Sequence, residues 1–177
     1  MARSLDVLDV LDGGEVISIS FDDLLRYHGR SSIAGVAHGF KVMQAAFPRL
    51  RPEHPPERSD VDVETAFPGP GARDAFEMVT RAVTGGRFRV DTEMAGPDAP
   101  EAPEGRFFFR LHYQGTTVEL TLLPGHVTDE FIELVRQAEK SPAEEARLAS
   151  LKEAQTDRLM SLAADDVYET RILSPDA

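Results

Sequence analysis

Residues 106–122 alternate between apolar and polar side chains, and that alternation restricts the fold more than any other stretch. Phe107, Phe109, Leu111 and Tyr113 share one face of an extended run; Val118, Leu120 and Leu122 share one face of the next. Gln114-Gly115 separates the runs as a two-residue turn. A hairpin with one apolar side is not independently stable in water, so it requires more strands or a covering layer.

Both are present in the pattern. At 60–67, Val61, Val63, Thr65 and Phe67 oppose Asp60, Asp62 and Glu64, which predicts a half-buried strand. Strand character restarts at 87–90 and returns weakly at 167–173. Helices supply the cover. A short one over 21–27 presents Leu24, Leu25 and Tyr27. A longer one starting near Ser32 repeats Ile33, Val36, Ala37, Phe40, Met43 and Phe47 at three- and four-residue steps. Ser31 or Ser32 is placed to accept its first-turn amides. After the break at 67–73, Ala72, Ala75, Phe76, Val79 and Val83 predict another helix, stopped by Gly85-Gly86. Thr128 caps a helix over 127–140, and Ser141-Pro142-Ala143-Glu144 opens a final one with Leu148, Leu151, Leu159 and Leu162 along one side. Proline-rich stretches at 49–59 and 95–105 read as surface loops. The order predicts an α+β fold: a mainly antiparallel sheet covered by helices, with a C-terminal helical pair. One domain spans 1–177, with 1–14 as an N-terminal segment and 126–165 as the C-terminal helices.

A chain of 177 residues can bury a core without staples. It has 19 Lys+Arg against 31 Asp+Glu, a formal charge of −12. That field repels nucleic-acid phosphates and anionic membrane surfaces, so neither is an expected partner. Cysteine is absent, which excludes disulfides, thiolate nucleophiles and thiolate-held metals. Asp6, Asp9 and Asp12 interrupt the N-terminus, so it lacks a signal-peptide core, and no stretch reaches membrane-spanning length. The expected location is cytoplasmic.

The densest chemical signal is Tyr27-His28-Gly29-Arg30-Ser31-Ser32-Ile33-Ala34-Gly35. It reads as a helix end, a glycine bend and a second helix start. Free amides at a helix start attract anions, and Arg30 adds a planar cation suited to carboxylate or phosphate. The alternative is an ordinary capped helix with a surface arginine. Ser31 or Ser32 near His28 and Asp74 also admits a serine-triad reading, although no nucleophile-elbow motif accompanies it. His38 fits core packing better than ligation. Thr84-Gly85-Gly86-Arg87 follows a helix instead of preceding one, which favours a helix stop over a phosphate loop.

His28-Gly29-Arg30, Gly35 and Gly39-Phe40-Lys41, followed by Gly71-Ala72-Arg73-Asp74 and Val83-Thr84-Gly85-Gly86, resemble in order the FmdE-like family, named for a component of formylmethanofuran dehydrogenase. The resemblance covers residues 20–125. It implies that His28 and Asp74 match family site positions. The family's second histidine falls at Arg30. Its cysteines fall at Ser32 or Ile33 and at Gly71 or Ala72. The inherited thiolate metal site is therefore lost in this chain, since a hydroxyl replaces thiolate poorly on zinc.

The resulting expectation is a small-molecule pocket bounded by residues 28–35, 70–74 and 84–87. His28 and Asp74 are the candidate catalytic pair, acting by acid–base chemistry. Arg30, Ser31, Ser32, Gly35, Arg73 and Thr84 are the candidate ligand-binding residues, for an anionic small molecule. No cofactor is assigned; a divalent metal, if held, would sit on His28, His38 and Asp74. The rival readings are an accessory component of an oxidoreductase complex and a His/carboxylate metal binder, and the sequence leaves open whether the protein is an enzyme. A homodimer through the leucine-lined C-terminal helices is a further expectation.

Overall fold

The chain enters the fold as a hairpin. In the computed structural model, which describes residues 6–173, Val7–Asp12 (β1) pairs antiparallel with Glu15–Ser20 (β2). Gly13 and Gly14 have φ of 61° and 85°, the positive values that a tight hairpin turn needs at both central positions. This hairpin replaces the unassigned segment expected over 1–14; the first five residues of that segment, like 174–177, lie outside the described residues. Asp12-Gly13-Gly14-Glu15 between two alternating runs carried the signal.

Three helices form the next layer. Phe21–His28 (α1) begins in a capping box: the Ser20 hydroxyl accepts from the Asp23 amide, and the Asp23 carboxylate accepts from the Ser20 amide. Gly29, with φ of 89°, turns the chain out of it. Ile33–Leu50 (α2) is the central helix, and Val36, Phe40, Met43 and Phe47 of the expected stripe are all buried. So are Val42, Ala45 and Ala46 on other sides, because α2 lies between the sheet and the other helices. Pro70–Thr80 (α3) packs along α2 at backbone distance. A Cβ on Gly39 would stand 2.8 Å from the Ala75 Cβ, and one on Gly71 would stand 2.2 Å from the Ser32 carbonyl oxygen.

The helix α3 ends at Thr80, earlier than the expected stop at Gly85-Gly86. Arg81 takes the left-handed cap with φ of 56°. Two arginines satisfy the last carbonyls. Arg58 donates to those of Met78 and Val79, and Arg87 donates to those of Thr80 and Val61. Cations at a helix C-terminus stabilise it through both hydrogen bonds and the helix dipole.

The main sheet has the order β4-β3-β5-β6-β7, from Asp62–Thr65 (β3), Phe88–Val90 (β4), Phe108–Tyr113 (β5), Thr116–Leu122 (β6) and Tyr168–Leu173 (β7). β3 and β4 run parallel, joined across α3; the other pairs are antiparallel. The fold is therefore α+β with a mostly antiparallel sheet, as the periodicities predict, plus one β-α-β crossover. The predicted turn is in place, with Gln114 at φ 45° and Gly115 at 86°. Phe107, Phe109, Leu111 and Tyr113 face the core with Val118, Leu120 and Leu122, and this core is continuous with α1–α3 and the N-terminal hairpin.

Asp129–Arg136 (α4) is capped by Thr128, and Pro142–Ser161 (α5) by the Ser141–Glu144 capping box. The leucine stripe of α5 is used within the chain. Leu148 and Leu151 pack on Phe131, Ile132 and Leu134 of α4, while Leu159 and Leu162 join the main core. The stripe is thus accounted for by packing within the chain, with Leu151 and Leu162 only partly buried. Among the described residues, no helix is long and apolar enough to cross a membrane.

Candidate functional site

The last residue of α1 meets the second turn of α3. His28 Nδ1 lies 2.8 Å from Asp74 Oδ2, with side-chain exposures of 5% and 27%. The other ring nitrogen, Nε2, accepts from the Ser32 amide at 3.2 Å, which places the imidazole proton on Nδ1. The Ser31 hydroxyl stands 3.3 Å from the same Nε2. Two segments that are 46 residues apart thus converge as a carboxylate, an imidazole and a hydroxyl in sequence. Close packing of α2 on α3 makes this convergence possible, because Gly35 and Gly71 let the two helix starts touch.

Beside this relay lies a cavity of about 430 Å³. Ser32, Ala34 and Gly35 of the α2 start border it, as do Gly69, Pro70 and Gly71 at the α3 start. Phe67, Phe107, Phe131, Val135 and Leu148 supply apolar wall. Its charged lining is Lys140 and Lys152 against Glu104 and Glu145, so the side chains nearly cancel and the helix ends decide the local field. Lys152 also donates to the Ser31 carbonyl at 2.7 Å, tying α5 to the turn that holds the relay.

Those helix ends are left open. α1, α4 and α5 each have a side-chain cap and acidic residues in the first turn. α2 and α3 have neither. Ser32 does occupy the N-cap position expected of it, but its hydroxyl caps no amide; the Ser31 hydroxyl is turned to His28 instead. No protein group among the described residues accepts from the amides of Ile33, Ala34 or Gly35.

His38 lines the inner side of the cavity and is only 1% exposed. Its Nε2 accepts from the Gln155 amide at 2.8 Å, and its Nδ1 is 2.8 Å from the Tyr168 hydroxyl. Burial, with a smaller repulsion from His126, holds its pKa down at about 3, and burial raises that of Tyr168. Both groups are therefore uncharged at neutral pH. The rings of His38, Phe107 and Phe67 follow one another at centroid distances of 4.6 and 4.7 Å.

The expected site residues divide by position. His28, Asp74 and Ser31 come together, and Ser32 and Gly35 border the cavity. Arg30 is exposed and makes no ion pair among the described residues. Arg73 is half exposed, with Nη1 3.5 Å from Asp74 Oδ1, and neither arginine lines the cavity. Lys140 and Lys152 take the place assigned to them. Thr84 is at the wrong end of α3, which is about 16 Å long at 1.5 Å per residue. Its hydroxyl and amide both donate to Glu77, so residues 84–87 border nothing at this site. The metal set His28, His38 and Asp74 is not assembled, because both nitrogens of each ring face the partners already named; among the described residues no three metal-binding side chains gather. The aromatic wall, Lys140 and Lys152 were not anticipated. Phe-Pro-Gly-Pro-Gly at 67–71 marked the loop, but nothing local showed which helix would close over it.

A second concavity, of about 370 Å³, lies between residues 122–125 and α4. Glu101, Asp129 and Glu133 line it with one arginine, Arg136, itself 3.6 Å from Glu101. It offers an anion no comparable field. No family model matches the chain, and no curated protein matches its sequence.

Proposed function

We propose that the protein binds a small molecule with an anionic head and an apolar body, seated in the cavity between the starts of α2 and α3. The observation that carries this reading is the pairing of two uncapped, acid-free helix starts on one cavity with aromatic walls. Each open helix end carries the equivalent of about half a positive charge, and an acidic cap would neutralise it. The head group lies against these amides, with Lys140 and Lys152 nearby. The body lies against Phe67, Phe107, Phe131 and Leu148. In this reading the chain carries an FmdE-like pocket in which amides and ammonium groups replace metal thiolates, and the His28–Asp74 pair beside it is the acid–base element. The order of the glycine-bearing motifs along the chain supports it.

Calorimetric titration with benzoate, phenyl phosphate and the neutral benzyl alcohol tests this. The anions bind and the alcohol does not. Ser32→Asp places a carboxylate over the α2 amides; it stabilises the helix by about 0.5–1 kcal/mol and weakens benzoate at least ~10-fold. Equal binding of benzoate and benzyl alcohol, or unchanged benzoate affinity in Ser32→Asp, overturns the proposal.

A further inference from the structure

We infer that Ser31 is a nucleophile activated by His28 and positioned through Asp74, and that the site hydrolyses carboxylic esters with an apolar acyl group. The inference rests on the cavity reading for the choice of substrate, and on the relay geometry for the chemistry.

The geometry limits what His28 can do. One ring nitrogen faces Asp74 at 2.8 Å. The other faces only the Ser32 amide, whose proton is not transferable, and the Ser31 hydroxyl at 3.3 Å. The one exchangeable proton within reach of the imidazole base is therefore that of Ser31. A carboxylate on Nδ1 fixes the tautomer that leaves Nε2 basic toward a hydroxyl, which is the arrangement a serine nucleophile needs. A buried brace that only held the turn would not require an exposed hydroxyl on that nitrogen, and Ser31 is exposed.

The surroundings supply the other parts. Ser31 lies two residues before α2, and the free amides of Ile33, Ala34 and Gly35 open that helix. Backbone donors at such a start stabilise the oxyanion of a tetrahedral intermediate. The cavity begins at the next residue, Ser32, and its apolar wall accepts the acyl chain.

The step balances. Ser31 Oγ bonds to the ester carbonyl carbon while its proton passes to His28 Nε2, and the carbonyl electrons move to the oxygen. Collapse of that intermediate breaks the carbon–oxygen bond to the alcohol, which leaves with the proton from His28. Water then attacks the acyl-serine by the same route, releasing the carboxylic acid and restoring Ser31. The anionic product belongs to the ligand class assigned to the cavity.

The test is covalent labelling of the intact protein with a fluorophosphonate, located by peptide mass spectrometry, together with hydrolysis of p-nitrophenyl butyrate. One adduct is expected, on Ser31. Ser31→Ala removes the adduct and the hydrolysis. Asp74→Asn, with its fold checked by circular dichroism, slows labelling by ~100-fold or more. An unlabelled, folded protein that still binds benzoate overturns the nucleophile and leaves the cavity reading standing. Labelling at Ser31 without benzoate binding does the reverse. An adduct on another residue, or an unchanged labelling rate in Asp74→Asn, also overturns the relay.

Discussion

His28 and His38 lie ten residues apart and are put to different uses by their partners. His28 touches a partly buried carboxylate and an exposed hydroxyl beside the cavity. His38 touches a neutral phenol and a neutral amide inside the core. Because burial lowers the folded pKa of His38 to about 3 from 6.5, the unfolded chain binds its proton first as pH falls. The His38 contribution is thus fully present above pH 6.5 and is lost as pH falls from there toward 3. Its share between pH 7 and pH 5 is about 2 kcal/mol. His126, also lowered chiefly by burial, acts in the same direction. Urea unfolding at pH 7 and pH 5 should therefore show a loss in wild type that shrinks by about 2 kcal/mol in His38→Gln. Equal losses in the two proteins would mean that His38 titrates normally. The pairing of His28 with Asp74 follows in the sequence from the family resemblance, which matches both to site positions, and not from local spacing, since 46 residues separate them. The neutral environment of His38 is not legible there, since Gln155 and Tyr168 are 117 and 130 residues away.

Among the helices, the site depends on how closely α3 approaches α2. Gly35, Gly39 and Gly71 carry no side chain where the helices touch, and the Gly71 position faces backbone, which cannot swing aside. Gly71→Ala should cost about 1–3 kcal/mol through overpacking and weaken benzoate binding, because the two helix starts must separate. Chemical denaturation and calorimetry on one sample check both effects; a variant with wild-type stability and affinity would show that the contact has slack. These glycines were visible in the sequence, but their meaning was not, because a glycine does not say what it approaches. Helix ends show the same limit. Ser20, Thr128 and Ser141 cap as local chemistry dictates, with Thr128 and Ser141 placed in advance. At α3, two arginines from outside the helix end it at Thr80, overriding the local Gly85-Gly86 signal.

Across the molecule, the sheet separates two kinds of surface. Its inner face meets the helices, and Phe107, just before β5, reaches the cavity wall. Its outer face carries a row in register over five strands: Arg89, Glu64, Arg110, Glu119 and Arg171. Arg110 sits between two carboxylates, 3.3 Å from Glu64 and 2.8 Å from Glu119, and hydrogen bonding to Glu119 raises its pKa. Arg110→Met leaves those carboxylates facing each other and should cost about 1 kcal/mol at low ionic strength, less in concentrated salt. A loss independent of salt would assign the effect to packing on Phe108. The alternation of strands and helices predicted the fold class because each periodicity reports its own burial. It could not predict which helices would close a cavity, because the lining from α4 and α5 combines apolar residues that read as ordinary core with charged ones that read as solvated surface.

Ligand binding and the chemistry inferred from it both depend on the open starts of α2 and α3 acting as one anion-binding surface. Amide proton and nitrogen shifts recorded during a benzoate titration read that surface residue by residue. Saturable shifts are expected at Ile33, Ala34 and Gly35 together with Gly71 and Ala72, and none at Thr84 or Gly86. Shifts confined to residues outside those two helix starts, or no saturable shift at any of the five amides, would contradict it.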